Sequence, residues 1–191
     1  MELRTLMVRA VDATAEVVQG VGPGALDRPT PCPEFDVRAL IGHTAEWTTE
    51  RARDAALKRP LAAASEKDVT VEPGWADRYA QGARAAGIAW SKPAAWEGMT
   101  SLSGRTPRAA EWVGGLVFSE FLVHAWDLAV ATGQRFTLDD DLAEALLGAV
   151  ASRADKAREY KAYGPEVRIP ASALSLDRAL GLTGRDPTWS A

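Results

Sequence analysis

EWVGGLVFSEFLVHAWDLAVATG, residues 111–133, decides how the rest of the chain is read. Taken as one helix at about 100° per residue, it brings Val113, Val117, Glu120, His124, Asp127 and Leu128 within an arc of roughly 100°. A carboxylate and an imidazole, one turn apart, therefore share a stripe with Val and Leu. Left bare in an apolar interior, such a pair costs several kcal/mol, so it must be hydrogen-bonded, ion-paired or bound to something. The chain's other histidine, His43, lies in a second helix-like stretch. The expectation is that His43, Glu120 and His124 meet inside a helical bundle and bind one divalent metal.

Working outward, Thr106 is the expected N-cap of this long helix, with Pro107 at its first position and Gly133 at its end. A further helix is expected from Asp139 to about Tyr160, its acidic start suiting the positive end of the dipole. Upstream, Leu3 to Val21 keeps the i, i+3, i+4, i+7 rule and is stopped by Gly22-Pro23-Gly24. LDRPTPCPEF, residues 26–35, has three prolines within five positions and reads as an extended, rigid connector. Asp36 then caps a helix running to about Lys58, which carries Val37, Leu40, Ile41, Thr44 and Trp47 at helical spacing. His43 projects at the edge of that stripe.

Residues 59–73 and 92–107 read as loops, and Thr100 to Gly104 as a turn or short extended piece. Between them a third helix is expected from Trp75 to about Ser91, whose alanines allow close helix approach. A short helix from Ser175 to Leu182, closed by Gly184 and Pro187, ends the chain. No strong β alternation appears. The economical fold is all-α, one domain over residues 1–191: an antiparallel bundle of four main helices with an extra short C-terminal helical segment.

Composition narrows the function classes. The 191 residues are 47% hydrophobic and 25% charged, with net charge −4 and a pI near 5.3. That balance gives no electrostatic reason to expect nucleic acid or an anionic membrane as partner. The N-terminus mixes Glu and Asp into its apolar pattern, unlike a signal peptide or anchor, so a cytoplasmic location is expected. Cys32, the one cysteine, excludes an internal disulfide and every structural zinc pattern needing two thiolates. It lacks a neighbouring His in sequence and reads as a packed structural thiol. Seven tryptophans serve as packing anchors, and some can wall a pocket, Trp47 and Trp126 among them.

Imidazole nitrogen with carboxylate oxygen suits a borderline divalent cation where thiolates are lacking, and catalytic zinc keeps three protein ligands with one position open. The i, i+4 spacing puts Glu120 and His124 roughly 5–6 Å apart at Cβ, within joint reach of one ion. Asp127 suits either of two roles, orienting a metal-bound His or accepting hydrogen bonds elsewhere in the bundle. Glu46, near His43, is a weak candidate for acid or base. Spacing alone also allows a plainer outcome, with hydrogen-bonded histidines and a solvated Glu120. Phosphate-binding loops, H-E-x-x-H and G-x-S-x-G are absent.

Three ordered segments narrow this further. TPCPEFDVRALIGH (30–43), FSEFLVHAWDLAVATG (118–133) and LDRALGLTGRDPTW (176–189) together resemble the DinB-like, mycothiol-dependent maleylpyruvate isomerase N-terminal type of metal-binding protein, in particular its short actinobacterial members. The resemblance implies a DinB-like four-helix bundle with a divalent metal, zinc or nickel, held by His43, Glu120 and His124. It also implies mycothiol as a thiol cofactor, and a transferase or isomerase-like reaction on a small electrophilic substrate. Those isomerases carry a further C-terminal domain, whereas here only residues 161–191 follow the last long helix, so a thiol-dependent transfer is the reaction class expected first. A non-catalytic metal-binding module, or one binding a small molecule or partner, is the alternative, and a homodimer is compatible with either.

Overall fold

The computed structural model describes residues 2–64 and 67–190. Its helices are α1 (Leu3–Gln19), α2 (Val37–Ala45), α3 (Arg51–Ala56), α4 (Trp75–Trp90), α5 (Ala110–Thr132), α6 (Asp140–Ala151), α7 (Ala154–Glu159) and α8 (Ser175–Leu182). Two short strands, β1 (Met99–Thr100) and β2 (Arg108–Ala109), pair antiparallel with Thr100 opposite Arg108. The bundle consists of α1, the α2–α3 arm, α4 and α5: α1 lies against α4 and α5, α2 against α5, and α3 against α4. α6 packs on α5, and α8 on α6. This is the all-α, DinB-like bundle that the sequence implies.

Each helix forms for a legible reason. α1 buries Leu6, Met7, Ala10, Val11, Thr14, Val17 and Val18, one continuous stripe. Asp36 caps α2 by accepting the Ala39 N–H at 2.8 Å. Gly133, at φ +74°, closes α5 in the left-handed conformation. α5 is long and apolar enough to cross a bilayer, yet 83% of its most apolar window is buried inside the protein, so it is the core helix of the bundle. Phe118, Phe121, Leu122 and Leu128 are fully buried along it. Burial of each such side chain contributes about 1.5–3 kcal/mol. Only Glu111, Trp112, Leu116, Glu120 and a few terminal residues of α5 keep exposure, and 112, 116 and 120 form one ridge at i, i+4 spacing.

Gly114 sits where α5 crosses the Trp90–Trp96 pair, whose rings meet edge to face at 5.4 Å. A Cβ at Gly114 would come within 2.7 Å of Trp96 and 2.8 Å of Trp90. Both rings are pinned, Trp90 donating to the Ala52 carbonyl at 2.8 Å and Trp96 to the Trp90 carbonyl at 2.6 Å. Gly114→Ala is therefore expected to destabilise the protein by about 1–3 kcal/mol, read as a lower denaturation midpoint. An unchanged midpoint would contradict this packing.

Three expected boundaries differ. The long helix does not begin at Thr106 and Pro107. The chain first pairs as β2 with β1, and the Ala110 N–H donates to Gly98 at 2.9 Å before the helix starts, with no side chain capping it. The expected single helix over 36–58 is interrupted by a π-helical turn at Glu46–Glu50. There the hydroxyls of Thr48 and Thr49 donate back to the carbonyls of Thr44 and Ala45, loosening the regular ladder. The helix expected over 139–160 breaks where Arg153, at φ −133°, turns its side chain inward toward Ser119. The loop reading of residues 59–73 holds for its described part except a single 3-10 turn at Val69–Val71; Ser65 and Glu66 lie outside the described residues.

Candidate metal centre

His43, Glu120 and His124 converge. α2 is seated by buried Val37, Leu40 and Ile41, and this turns His43 toward α5. Its Nε2 lies 3.8 Å from Glu120 Oε2, and His124 Nε2 lies 3.3 Å from the same oxygen. The two imidazoles stand edge to face with centroids 5.5 Å apart. One ligand atom from each of the three residues falls within a 4.8 Å group. Ligand atoms around a tetrahedral zinc lie roughly 3.3 Å from one another, given bonds of about 2.0–2.1 Å, so these side chains would draw somewhat closer together around such an ion. Two imidazole nitrogens and one carboxylate oxygen also make a chemically suitable donor set.

In the absence of a cation the three residues form a hydrogen-bonded, ion-paired group. Burial pushes the Glu120 carboxyl upward, but hydrogen bonds from His124 and His43 outweigh it and hold the group well below the usual carboxylate range. Burial pulls the His124 imidazole downward, yet hydrogen bonds to Asp127 and Glu120 carry it up to about 9. Without a metal, a proton on His124 is held between two carboxylates. A divalent cation would displace that proton on binding.

Behind His124 lies a second layer. Asp127, fully buried, places Oδ2 2.9 Å from His124 Nδ1. It thus takes the orienting role, one of the two that its spacing allowed, and leaves Nε2 facing Glu120 and His43. Arg185 grips the same carboxylate, its Nη2 donating to Oδ2 at 2.9 Å and its Nε to Oδ1 at 3.3 Å. Sequence reasoning gave Arg185 no role. Its only signal was its place in the closing GRDP segment, which the fold returns to the back of the site.

Cys32 approaches the site, which its sequence neighbours did not signal. Distant from any His in sequence, its sulfur nevertheless joins His124 and Asp127 in a second group within 4.8 Å. The proline-rich connector makes this approach: the Thr30 hydroxyl donates to the carbonyls of Cys32 and Phe35, and the Phe35 ring rests 4.9 Å from His43. Burial raises the Cys32 thiol to about 11, so it stays protonated and packs as expected. The Arg185 cation on Asp127 disfavours a second metal in this group, and the connector serves as a backing wall.

On its open side the site meets a cavity of about 270 Å³ walled by Trp47, Trp112, Leu102 and Leu116, with His43 and Glu120 at its floor. Trp112 takes the lining place expected of Trp126, which is buried and does not line it. Buried Arg51 fixes one wall by donating to the carbonyls of Leu102 at 3.1 Å and Ser103 at 3.2 Å, with its guanidinium 4.9 Å over Trp47. Glu46 pairs with Arg51 at 3.3 Å and lies outside this cavity, so it is not placed for acid–base work there. A larger groove of about 500 Å³ between the α2–α3 arm and α4 contains none of the three converging residues.

Comparisons with known proteins show which family the chain resembles. Residues 7–129, which include all three converging side chains and Asp127, match the family model described as the mycothiol maleylpyruvate isomerase N-terminal domain. Two uncharacterized proteins of Mycobacterium tuberculosis, from strains CDC 1551 and H37Rv, are each 32% identical over 180 residues, covering 87% of this chain and 91% of theirs. No solved structure matches it significantly. With a helical bundle whose second and fifth helices bring two histidines and a glutamate to one point, and a family model that spans that bundle from α1 into the last turns of α5, the chain belongs to the mycothiol maleylpyruvate isomerase N-terminal domain family.

Proposed function

We propose that this protein binds one divalent metal, zinc or nickel, through His43, Glu120 and His124, and uses it in a thiol-dependent transfer or isomerisation on a small electrophile, with mycothiol as the thiol. The observation that carries this reading is the opening of the three-ligand group onto a walled cavity rather than onto packed core. A structural metal is ordinarily closed by four protein ligands, whereas three ligands beside a cavity leave room for an exchangeable one.

A bound divalent cation would lower the pKa of a thiol placed beside it and favour the thiolate. The protein's residues do the rest. Asp127 holds the His124 ring in the tautomer that presents Nε2, and Arg185 keeps Asp127 ionised and aimed. Trp47, Trp112, Leu102 and Leu116 keep bulk water from the reacting atoms. The thiol loses its proton and its sulfur bonds to an electrophilic carbon of a double bond, whose π electrons move onto the neighbouring atom. In a transfer the C–S bond is kept and a proton is taken up by the product. In an isomerisation the bond breaks again after rotation, and the thiol is regenerated.

Cobalt substitution tests this. Mycothiol, or a surrogate low-molecular-weight thiol, is expected to change the visible spectrum of the cobalt-loaded protein, and His43→Ala to abolish the change. An unaltered spectrum at saturating thiol would remove thiol activation from the proposal.

A further inference from the structure

We propose that Arg108 is the specificity residue of the cavity and receives a carboxylate carried by the electrophilic substrate. The inference rests on the thiol-addition reading only for the word electrophile; the anion site itself stands on separate observations.

Arg108 lies in β2, just before α5, and lines the same cavity as His43 and Glu120. Its guanidinium is 5.0 Å from the centre of the Trp112 ring and 5.7 Å from that of Tyr160, and Nη2 donates to the Tyr160 hydroxyl at 3.4 Å. Two rings and one weak hydrogen bond fix the position of the fork without neutralising it. The other arginines at this site, Arg51 and Arg185, each hold a carboxylate, Glu46 and Asp127. Among the described residues none holds Arg108. A half-buried guanidinium with no carboxylate partner presents N–H donors in the planar arrangement that a carboxylate accepts bidentately.

Its surroundings favour the same ligand. Lys156 stands 5.3 Å from the Tyr160 ring, its charge taken by Glu159 at 3.1 Å. The first turn of α5, uncapped by any side chain, adds the positive end of a long helix, while Glu111 on that turn is exposed and does not line the cavity. The one carboxylate lining the cavity is Glu120 at the floor. Trp112 stands above it by roughly 12 Å along α5, at about 1.5 Å per residue. The backbone of Arg108 is held in register opposite Thr100, whose hydroxyl donates to the Ala55 carbonyl at 2.6 Å, so the fork does not drift with the loop. What the guanidinium selects is a small ligand bearing one carboxylate. Its apolar body lies between Trp47 and Trp112, its carboxylate is at the mouth, and its electrophilic carbon is toward the floor.

The test is calorimetric titration of the full-length, zinc-loaded protein, without thiol, using trans-cinnamate and its uncharged isostere trans-cinnamamide as probes. The wild type is expected to bind the acid about tenfold tighter than the amide. Arg108→Gln is expected to bring the two within about twofold, and Arg108→Lys to keep part of the preference. Thermal unfolding of both variants checks that the bundle persists, and the lysine variant carries the test should the glutamine one not fold. Equal binding of acid and amide by the wild type would overturn the proposal. So would a preference that survives Arg108→Gln, which would place the carboxylate on the metal instead. An Arg108-dependent preference in a protein that never forms a thiol adduct would keep this site and sink the reaction reading alone.

Discussion

Glu120→Gln is expected to empty the metal centre while leaving the bundle folded. Glu120 is the one anionic ligand of the three, and its Oε2 is the atom that both His43 and His124 approach. Replacing it with a neutral amide of the same shape leaves a dication facing two imidazoles. Affinity should fall by a factor of about 1,000 or more, and zinc content from about one per chain to under a tenth, measured by elemental analysis of protein purified without a histidine tag. Because Glu120 keeps about a fifth of its side chain exposed at the cavity floor, the substitution costs little packing. Metal-free Glu120→Gln is expected to stay folded and to unfold somewhat below the metal-free wild type, since its amide no longer pairs with the protonated His124. Zinc retained at full stoichiometry by Glu120→Gln, or by Glu120→Ala with His124→Ala, would remove the site.

Arg185→Met is expected to be the most destabilising single change around the centre. Asp127 has no exposed surface and is ionised because Arg185 and His124 outweigh the cost of burying it. Taking away the guanidinium leaves a buried charge with half its compensation, a loss of about 3–5 kcal/mol and roughly 10 °C in unfolding temperature for a chain of this size. Metal affinity should fall about 10–100-fold as well, since Asp127 would no longer be held against His124. Adding Asp127→Asn to Arg185→Met removes the stranded charge and should recover part of the stability. If the double variant is less stable than the single by the full cost of Asp127→Asn alone, the two residues act independently and the clamp is not what holds this end of the protein.

The α5 pattern is weak as bare spacing and became readable because a carboxylate and an imidazole share its apolar stripe within one of three ordered segments that resemble the family. His43 was readable because it is the chain's other histidine and falls at the edge of a helical stripe. Helix ends were read less well. Thr106 and Pro107 carry strong N-terminal signals, yet β-pairing of Arg108 with Thr100 and the Ala110 bond to Gly98 delay α5. A capping preference of about 1 kcal/mol is easily overridden by such tertiary contacts. The π turn after α2 likewise depends on which carbonyls the Thr48 and Thr49 hydroxyls reach, and the residue types do not specify this.

By itself the sequence determined an all-α bundle and its main helices, because these follow from periodicity and capping; it nominated His43, Glu120 and His124, whose spacing alone also allowed a metal-free, hydrogen-bonded arrangement. Only the tertiary structure decided that Asp127 orients His124, that Arg185 returns from the far end of the chain to clamp Asp127, that Cys32 backs the site, and that Arg108 stands between two rings at the cavity mouth. Local spacing places residues on a face of one helix. Contacts between residues far apart in the chain depend on how faces of different helices are brought together, and no short-range pattern encodes that.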